Sequence, residues 1–468
     1  MEQVKDLNPK PLSVKQYLVV SSMLFGLFFG AGNLIFPIHL GQLAGAHWGM
    51  ATVGFLVTAV LLPMLSVLAV AVTRSKGVYD IGRPLGPAFA LAFMVMIHAT
   101  IGPLFGTPRT ATIPFSVGVQ PLLPASWTHV GLLVFSVLFF GTAFLVSYKE
   151  SNIMTSVGKV LNPVFLLMLF AVFAMGFAHP MGSVGKMAAT TAYQHASFFN
   201  GFLQGYNTMD ALAGLAFGVT VVTAVNQLGK TTPKSNAKVT ARAGVLATSM
   251  IGVIYVGLIL LGATTLGKYK VSADGGVAFN QLVTYYMGTL GHALLATLLT
   301  VTCLTTAIGL VAAFAQDFHK HFSRVSYRQW LGFMCAASFL TANFGLDTII
   351  AWSTPMLMFL YPFAMVLILL SVFSPLFHRD GVVYAFVVAF TAVPAFFDMV
   401  DAFPAVVSQS GFGKAVATFQ QSVLPFANLG MDWVVPAVVG LALGLGVHVL
   451  RPVFAARRSV ASQEVHNH

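Results

Sequence analysis

Charge is scarce in this chain. Only 8% of its 468 residues are Asp, Glu, Lys or Arg, against 57% apolar, and no long polar block lies outside the termini and short loops. That excludes a soluble protein, which at this length would divide into two or three domains with charged surfaces. Cysteine is nearly absent too. Cys303 and Cys335 both sit inside apolar runs, so they read as small buried hydrophobes and exclude a disulfide framework or a thiolate metal set. Neither His-Glu-x-x-His nor Gly-x-Ser-x-Gly occurs in a context that would support an intramembrane hydrolase. The "HKHF" at His319 to Phe322 and the terminal "HNH" lack a converging set of ligands. His39, His98, His292 and His448 stand singly in or beside apolar runs, as hydrogen-bonded core or interface residues do.

What the chain has is apolar length. A membrane span needs roughly 20 apolar residues, and twelve segments qualify: 17–44, 48–73, 86–118, 129–148, 158–178, 198–227, 242–267, 284–316, 329–343, 346–373, 381–400 and 430–450. The first is too long for the core of a signal peptide and lacks an Ala-x-Ala exit, so it is expected to remain. Twelve spans put both termini on one side, and the positive-inside rule tests that loop by loop. With the N-terminus inside, nineteen of the 24 basic residues fall in cytoplasmic segments. Only Lys186, Lys268, Lys270 and Lys414 lie outside, with Arg109 in span three. The formal charge of +11 thus reflects topology; short loops between spans do not form the single basic face that nucleic acid requires.

Two spans are interrupted. "FFGAGNLIFP" in span one sets glycines and a proline inside a helix, at roughly 1 and 3 kcal/mol each relative to alanine, so the helix is expected to unwind near Gly30 to Asn33. Unpaired backbone at membrane depth persists only against protein or a watery cavity. A proline kink with Gly41-x-x-x-Gly45 packing is the plainer explanation. Span six, "NGFLQGYNTMDALAGLAFG", carries Gly201, Gly205, Gly214, Gly218 and the ionisable Asp210. It lies five spans later, and interruptions at the start of two five-helix halves suit an inverted repeat. No residue-level repeat accompanies that positional symmetry. In span eight, Thr302, Thr305 or Thr306, and Gly309 share one helix face; their hydroxyls either bond the carbonyl one turn back or serve a hard cation.

These stretches, with "GPLFGTPRTATIPFSVG", "YQHASFFNGFLQGYNTMDALAGLAFG" and "CLTTAIGLVAAFAQDF", resemble in order and spacing the bacterial branched-chain amino acid:cation symporter family, from about Lys15 to Arg451. The resemblance implies an all-α polytopic membrane protein of the amino acid, polyamine and organocation superfamily. It would have twelve transmembrane helices in a leucine-transporter-like 5+5 inverted repeat with helices 1 and 6 broken, plus two further helices. One membrane domain would cover residues 1–452, with repeats at about 15–180 and 195–373, extra helices at about 381–452, and a cytoplasmic tail at 453–468. It also implies uptake of leucine, isoleucine and valine with Na+ as the coupling ion, or H+, across a bacterial inner membrane, without a cofactor.

Carried over by position, Gly30, Ala31, Gly32 and Asn33 would face the substrate carboxylate, and Tyr206, Gly214, Phe217 and Gly218 would border the substrate. Sodium would lie between spans one and eight, at backbone oxygens near Phe28 and Ala31 with Thr305 and Thr306. Span six leaves two breaks open, one around Gly205 to Asp210 and one around Gly214 to Gly218. Arg109 and Asp210 are the gating or coupling candidates. Arg109 is either a functional intramembrane charge or a snorkelling residue near the outer end of its span. Asp210 carries a coupling proton or, as preferred, is a helix-terminal carboxylate near the outer surface. Asp317 and Asp347 read as solvated or paired at span ends. A channel would need a continuous pore and a filter, whereas one discontinuous site per half suits a carrier.

Overall fold

The computed structural model describes residues 11–30, 32–148 and 153–466, without the side chains of 153–163, 165, 233, 290 and 452–466. Ala31, assigned above to both the substrate and the sodium site, lies outside the described residues, as do Lys5, Lys10 and Lys149 of the charge count. Every regular element among the described residues is helical.

The first span is two helices. A reciprocal Ser13/Gln16 capping box opens α1 (Val14–Phe28), which stops when Phe29 turns extended (φ −77, ψ 102); α2 (Gly32–Ala44) then resumes. Next come α3 (Trp48–Leu56) and α4 (Leu62–Thr73), joined by a π-helical turn at Val57–Leu61, and the short α5 (Val78–Gly82). The third span is also interrupted, which its apolar length concealed. Between α6 (Pro87–Ala99) and α7 (Gly106–Pro114), Gly102 leaves helical geometry (φ −92, ψ −122) just before Pro103. Then follow α8 (Thr128–Ser147) and α9 (Ile153–Ala178). In the sixth span, α10 (Thr191–Gln204) and α11 (Asp210–Gln227) flank a 3-10 turn at Gly205–Thr208.

The remainder comprises α12 (Pro233–Thr265), α13 (Gly275–His321), α14 (Tyr327–Ala342), α15 (Leu346–Val372), α16 (Gly381–Ala402), the short α17 (Ala405–Ser408), α18 (Gly411–Val423) and α19 (Val434–His466). Within α13, Gly288 (φ 62) makes a sharp bend.

Nine helical runs among the described residues are long and apolar enough to cross a membrane. The run from Gly32 to Thr73 takes in two expected spans, which part at the 3-10 turn Gly45–His47, where Gly45 is left-handed (φ 48); α14, of 16 residues, is short; and α9 enters the count only from Leu166, since the side chains of 153–163 and 165 lie outside the described residues. The interhelical contacts nonetheless sort the loops onto two ends. At one end Arg379 donates to the Thr73 carbonyl (3.5 Å) and the Asp80 carbonyl, and Tyr327 Oη donates to the Ser147 carbonyl (3.0 Å). There too His448 Nδ1 meets Asp380 Oδ2 at 2.6 Å. The Val382 amide and the His448 imidazole hold the Asp380 carboxyl below its ordinary range. At the other end Thr190 N–H donates to the Leu43 carbonyl (2.9 Å) and Gln42 Nε2 to Thr265 Oγ1 (2.8 Å).

The close pairs are α2 with α12, α3 with α10 and α4 with α11. A Cβ on Gly41 would overlap the Ile259 carbonyl, and one on Gly262 the Ile38 carbonyl, so α2 and α12 meet backbone to backbone. Gly440 and Gly444 pack within the chain on Phe386 and Val383 of α16.

Gly41→Val or Gly262→Val overpacks this contact at a cost of about 1 to 3 kcal/mol, expected as a clear drop in unfolding temperature of the detergent-solubilised protein. Gly446→Ala, where a Cβ has nothing within 4 Å, is expected to leave it unchanged.

Candidate functional site

The two broken spans meet. In span one the unwound stretch leaves the Gly30 N–H to donate to Asn33 Oδ1 (2.7 Å), while the Asn33 N–H returns to the Gly30 carbonyl (3.2 Å). Pro37 keeps this start of α2 poorly satisfied, because it has no N–H for the Asn33 carbonyl one turn back. In span six the chain passes through Met209 in the left-handed region (φ 59), and α11 begins at Asp210. A carboxylate in a first helical turn complements the positive end of the helix dipole.

Asp210 ties the breaks together. Its Oδ2 accepts from Asn33 Nδ2 at 2.7 Å and from Tyr255 Oη of α12 at 3.0 Å, and Asn33 Nδ2 also contacts Tyr255 Oη. Asp210 is 4% exposed, so the carboxylate expected near the outer surface is instead enclosed beside the first break. Arg109 is likewise 4% exposed and does not snorkel. Its guanidinium donates to the Asn207 carbonyl (3.0 Å) and to Ser353 Oγ, and lies 5.1 Å from the centre of the Phe36 ring.

These groups surround a cavity of about 90 Å³, with Gly30, Gly32, Asn33, Arg109 and Asp210 among its lining and Leu27, Phe28, Ile101 and Phe217 supplying apolar surface. At 10 to 15 Å³ per water-sized centre, that is the scale of a small solute. Thr306 lines it as well, its Oγ1 lying 3.9 Å from where a Gly30 Cβ would be.

This chain matches the family of branched-chain amino acid transport proteins over residues 13–450. It belongs to that family. The branched-chain amino acid permease BrnQ of Lactobacillus delbrueckii subsp. lactis is 40% identical over 434 residues, 92% of this chain and 96% of that protein. The permease BraB of Bacillus subtilis is 38% identical over 436 residues, 92% and 95% of the two chains. Among solved structures, MhsT in complex with L-phenylalanine aligns over 94% of this chain and 99% of its own, with a TM-score of 0.55 at 14% identity. Mhp1, a nucleobase-cation-symport-1 family transporter in a closed conformation with bromovinylhydantoin bound, aligns over 94% of each chain, with a TM-score of 0.58 at 14% identity. The last two likenesses are of fold alone. The protein is a multi-pass membrane transporter and not an enzyme.

Within this transporter, the remaining residues singled out from sequence divide by position. Phe28 and Phe217 face the cavity. Gly214 and Gly218 do not, because the break falls at Gly205–Met209 and both glycines lie inside continuous α11. A Cβ on Gly214 would overlap Ser66 Oγ, and one on Gly218 would come within 3.3 Å of Val70, so their small size serves the α4 contact. Tyr206 is also off the cavity lining, stacked on Tyr361 with ring centres 4.2 Å apart. Thr305 and Thr306 both donate back to the Thr302 carbonyl, at 2.7 and 3.2 Å; only Thr306 reaches the cavity.

Asp317, read as paired or solvated, lies 2.8 Å from His98 Nε2, and His39 and His292 meet backbone carbonyls of Ser272 and Val117. No cluster of three His, Cys, Asp or Glu groups among the described residues has metal-binding spacing. Sequence reading missed Tyr255, Asn207 and Ser353, the partners of the two buried charges. A lone hydroxyl is the only signal for Tyr255 and Ser353, and Asn207 acts through its backbone carbonyl, which any residue supplies.

Phe217→Ala is expected to raise the half-saturating substrate concentration about tenfold or more, since it removes roughly 1.5 to 3 kcal/mol of aromatic burial. Gly218→Ala is expected to leave it within twofold. Uptake in membrane vesicles, normalised to protein amount, checks both.

Proposed function

We propose that this transporter is a secondary active symporter that imports leucine, isoleucine and valine together with sodium by alternating access. The observation that carries the reading is the convergence of two helix breaks on one charged and partly apolar cavity in a chain of the branched-chain amino acid transport family. Broken half-helices offer amide ends to a carboxylate and freed carbonyls to a cation. Gly30, Gly32 and Asn33, with Ala31 between them, would dock the substrate carboxylate. Phe217 and its apolar neighbours would take the aliphatic side chain, and because one methylene is worth only about 1 to 3 kcal/mol, all three amino acids would be accepted.

Sodium would tie span one to span eight, at freed carbonyls near Phe28 and Ala31 with Thr306 and Thr305. A hydroxyl that donates back along its helix keeps its lone pairs for a hard cation. Sodium binding that orders the break for substrate is a coupling that acts reciprocally. The matched pairs of half-helices and the breaks five spans apart support the twelve-helix, 5+5 arrangement. The basic residues gathered on the loops at one end of the bundle support a bacterial inner-membrane orientation with both termini in the cytoplasm.

Buried Asp210 favours a second reading, in which it carries a coupling proton. Leucine uptake into proteoliposomes with sodium and proton gradients imposed independently separates the two. Sodium-driven, saturable uptake is expected; uptake driven by the proton gradient alone would overturn sodium coupling, and none under any gradient would overturn the substrate class. The Thr305→Ala, Thr306→Ala double variant is expected to need at least several-fold more sodium for half-maximal uptake.

A further inference from the structure

Arg109 and Asp210 line the same cavity, each 4% exposed, and neither is joined to an opposite charge in any ion pair among the described residues. Arg109 rests on neutral groups, the Asn207 carbonyl and the Ser353 hydroxyl, and its Nε has no partner. Asp210 rests on the Asn33 amide and the Tyr255 hydroxyl. An isolated buried charge costs several kcal/mol. Two of opposite sign that do not pair with each other, set around one small cavity, suit a ligand that carries both charges. A carboxylate or an amine would leave one uncompensated, and a neutral solute both.

The ends can be told apart. Asn207, whose carbonyl accepts from Arg109, lies 4.0 Å from where a Gly32 Cβ would be. The guanidinium is thus linked through Asn207 to the amide end of α2, and both favour an anion. Asn33 Nδ2 and Tyr255 Oη both donate to Asp210 Oδ2, and neither carries a positive charge. Leu27, Ile101 and Phe217 supply the apolar wall between.

We infer that Asp210 and Arg109 read the two ends of the substrate zwitterion, Asp210 holding the α-ammonium and Arg109, with the amide end of α2, the α-carboxylate. This rests on the amino-acid symport reading above and replaces gating or coupling as the role of both residues. Selectivity for amino acids over their acids and amines is then set by two side chains, while the apolar wall sets selectivity among side chains.

The test uses the full-length protein in proteoliposomes, with labelled leucine uptake competed by 4-methylpentanoate, which lacks the ammonium, and by 3-methylbutylamine, which lacks the carboxylate. The wild type is expected to bind each at least about thirtyfold more weakly than leucine, as for losing one buried charge-assisted contact. Asp210→Asn should shrink the leucine-to-acid preference at least about tenfold and leave the leucine-to-amine preference nearly unchanged; Arg109→Gln should do the reverse. These ratios compare ligands on the same protein, so they do not depend on the folded fraction. If the charge variants do not fold, Tyr255→Phe and Ser353→Ala should move the same two ratios in the same directions by about threefold. Ratios that stay fixed, that move together in both variants, or a wild type that binds either analogue within threefold of leucine would overturn the inference. Leucine uptake with unaltered ratios overturns only the charge assignment; a wild type that takes up no leucine overturns the symport reading beneath it.

Discussion

The bundle is organised around one buried carboxylate held by two neutral donors. Asp210 opens α11 and receives Asn33 of α2 and Tyr255 of α12, so both chain breaks and an unbroken helix share a single oxygen. Charge-assisted hydrogen bonds are about twice as strong as neutral ones, and in an apolar medium each component has few alternatives. The start of α2, the start of α11 and the position of the cavity between them all follow from satisfying that group. If the triangle opened, Asn33 would lose its orientation, and with it the bond that closes the unwound turn onto Gly30.

Around this centre the helices are paired rather than evenly packed. Where backbones touch, as between α2 and α12, there is little freedom to slide, because close-packed interiors repack in discrete steps and do not deform smoothly. Freedom is concentrated at the non-helical points instead. The turn at Gly205–Met209 faces the π-helical turn of the second span, with Thr58 Oγ1 donating to the Phe202 carbonyl at 2.7 Å. The joint of span six therefore has a neighbouring joint in span two, at the same level, and the halves on either side are paired across it as α3 with α10 and α4 with α11. Such a division is what a carrier requires if opposite ends of one site are to open in turn.

Much of this was legible in the sequence. Glycine, proline and a polar residue inside an apolar run are a strong local signal, and "FGAGN" breaks where that signal lies. Span six was harder, since two groups of glycines look alike in sequence but do different work. At Gly214 the small residue permits contact with Ser66, whereas the turn itself is made by Met209, a residue with no special liking for the left-handed region. Tertiary contact chose that site. Depth was the other hidden variable. Hydropathy locates Arg109 and Asp210 along the chain, but their surroundings depend on Ser353, 244 residues away, and on Asn33, 177 residues away, which no local pattern encodes. Helix ends were hidden as well, since α2 and α3 are parted only by the short turn Gly45–His47.

The π-helical turn at Val57–Leu61 holds one residue beyond the regular helical count without rotating the helix that follows. Deleting a single residue there would let the second span close up as regular α-helix, and hydropathy would register no change. Ser66 and Val70 of α4 would still face Gly214 and Gly218, but the wide turn from which Thr58 reaches the Phe202 carbonyl beside the joint of span six would be gone. Length in this short stretch is therefore as constrained as sequence, although the stretch has no part in the cavity itself.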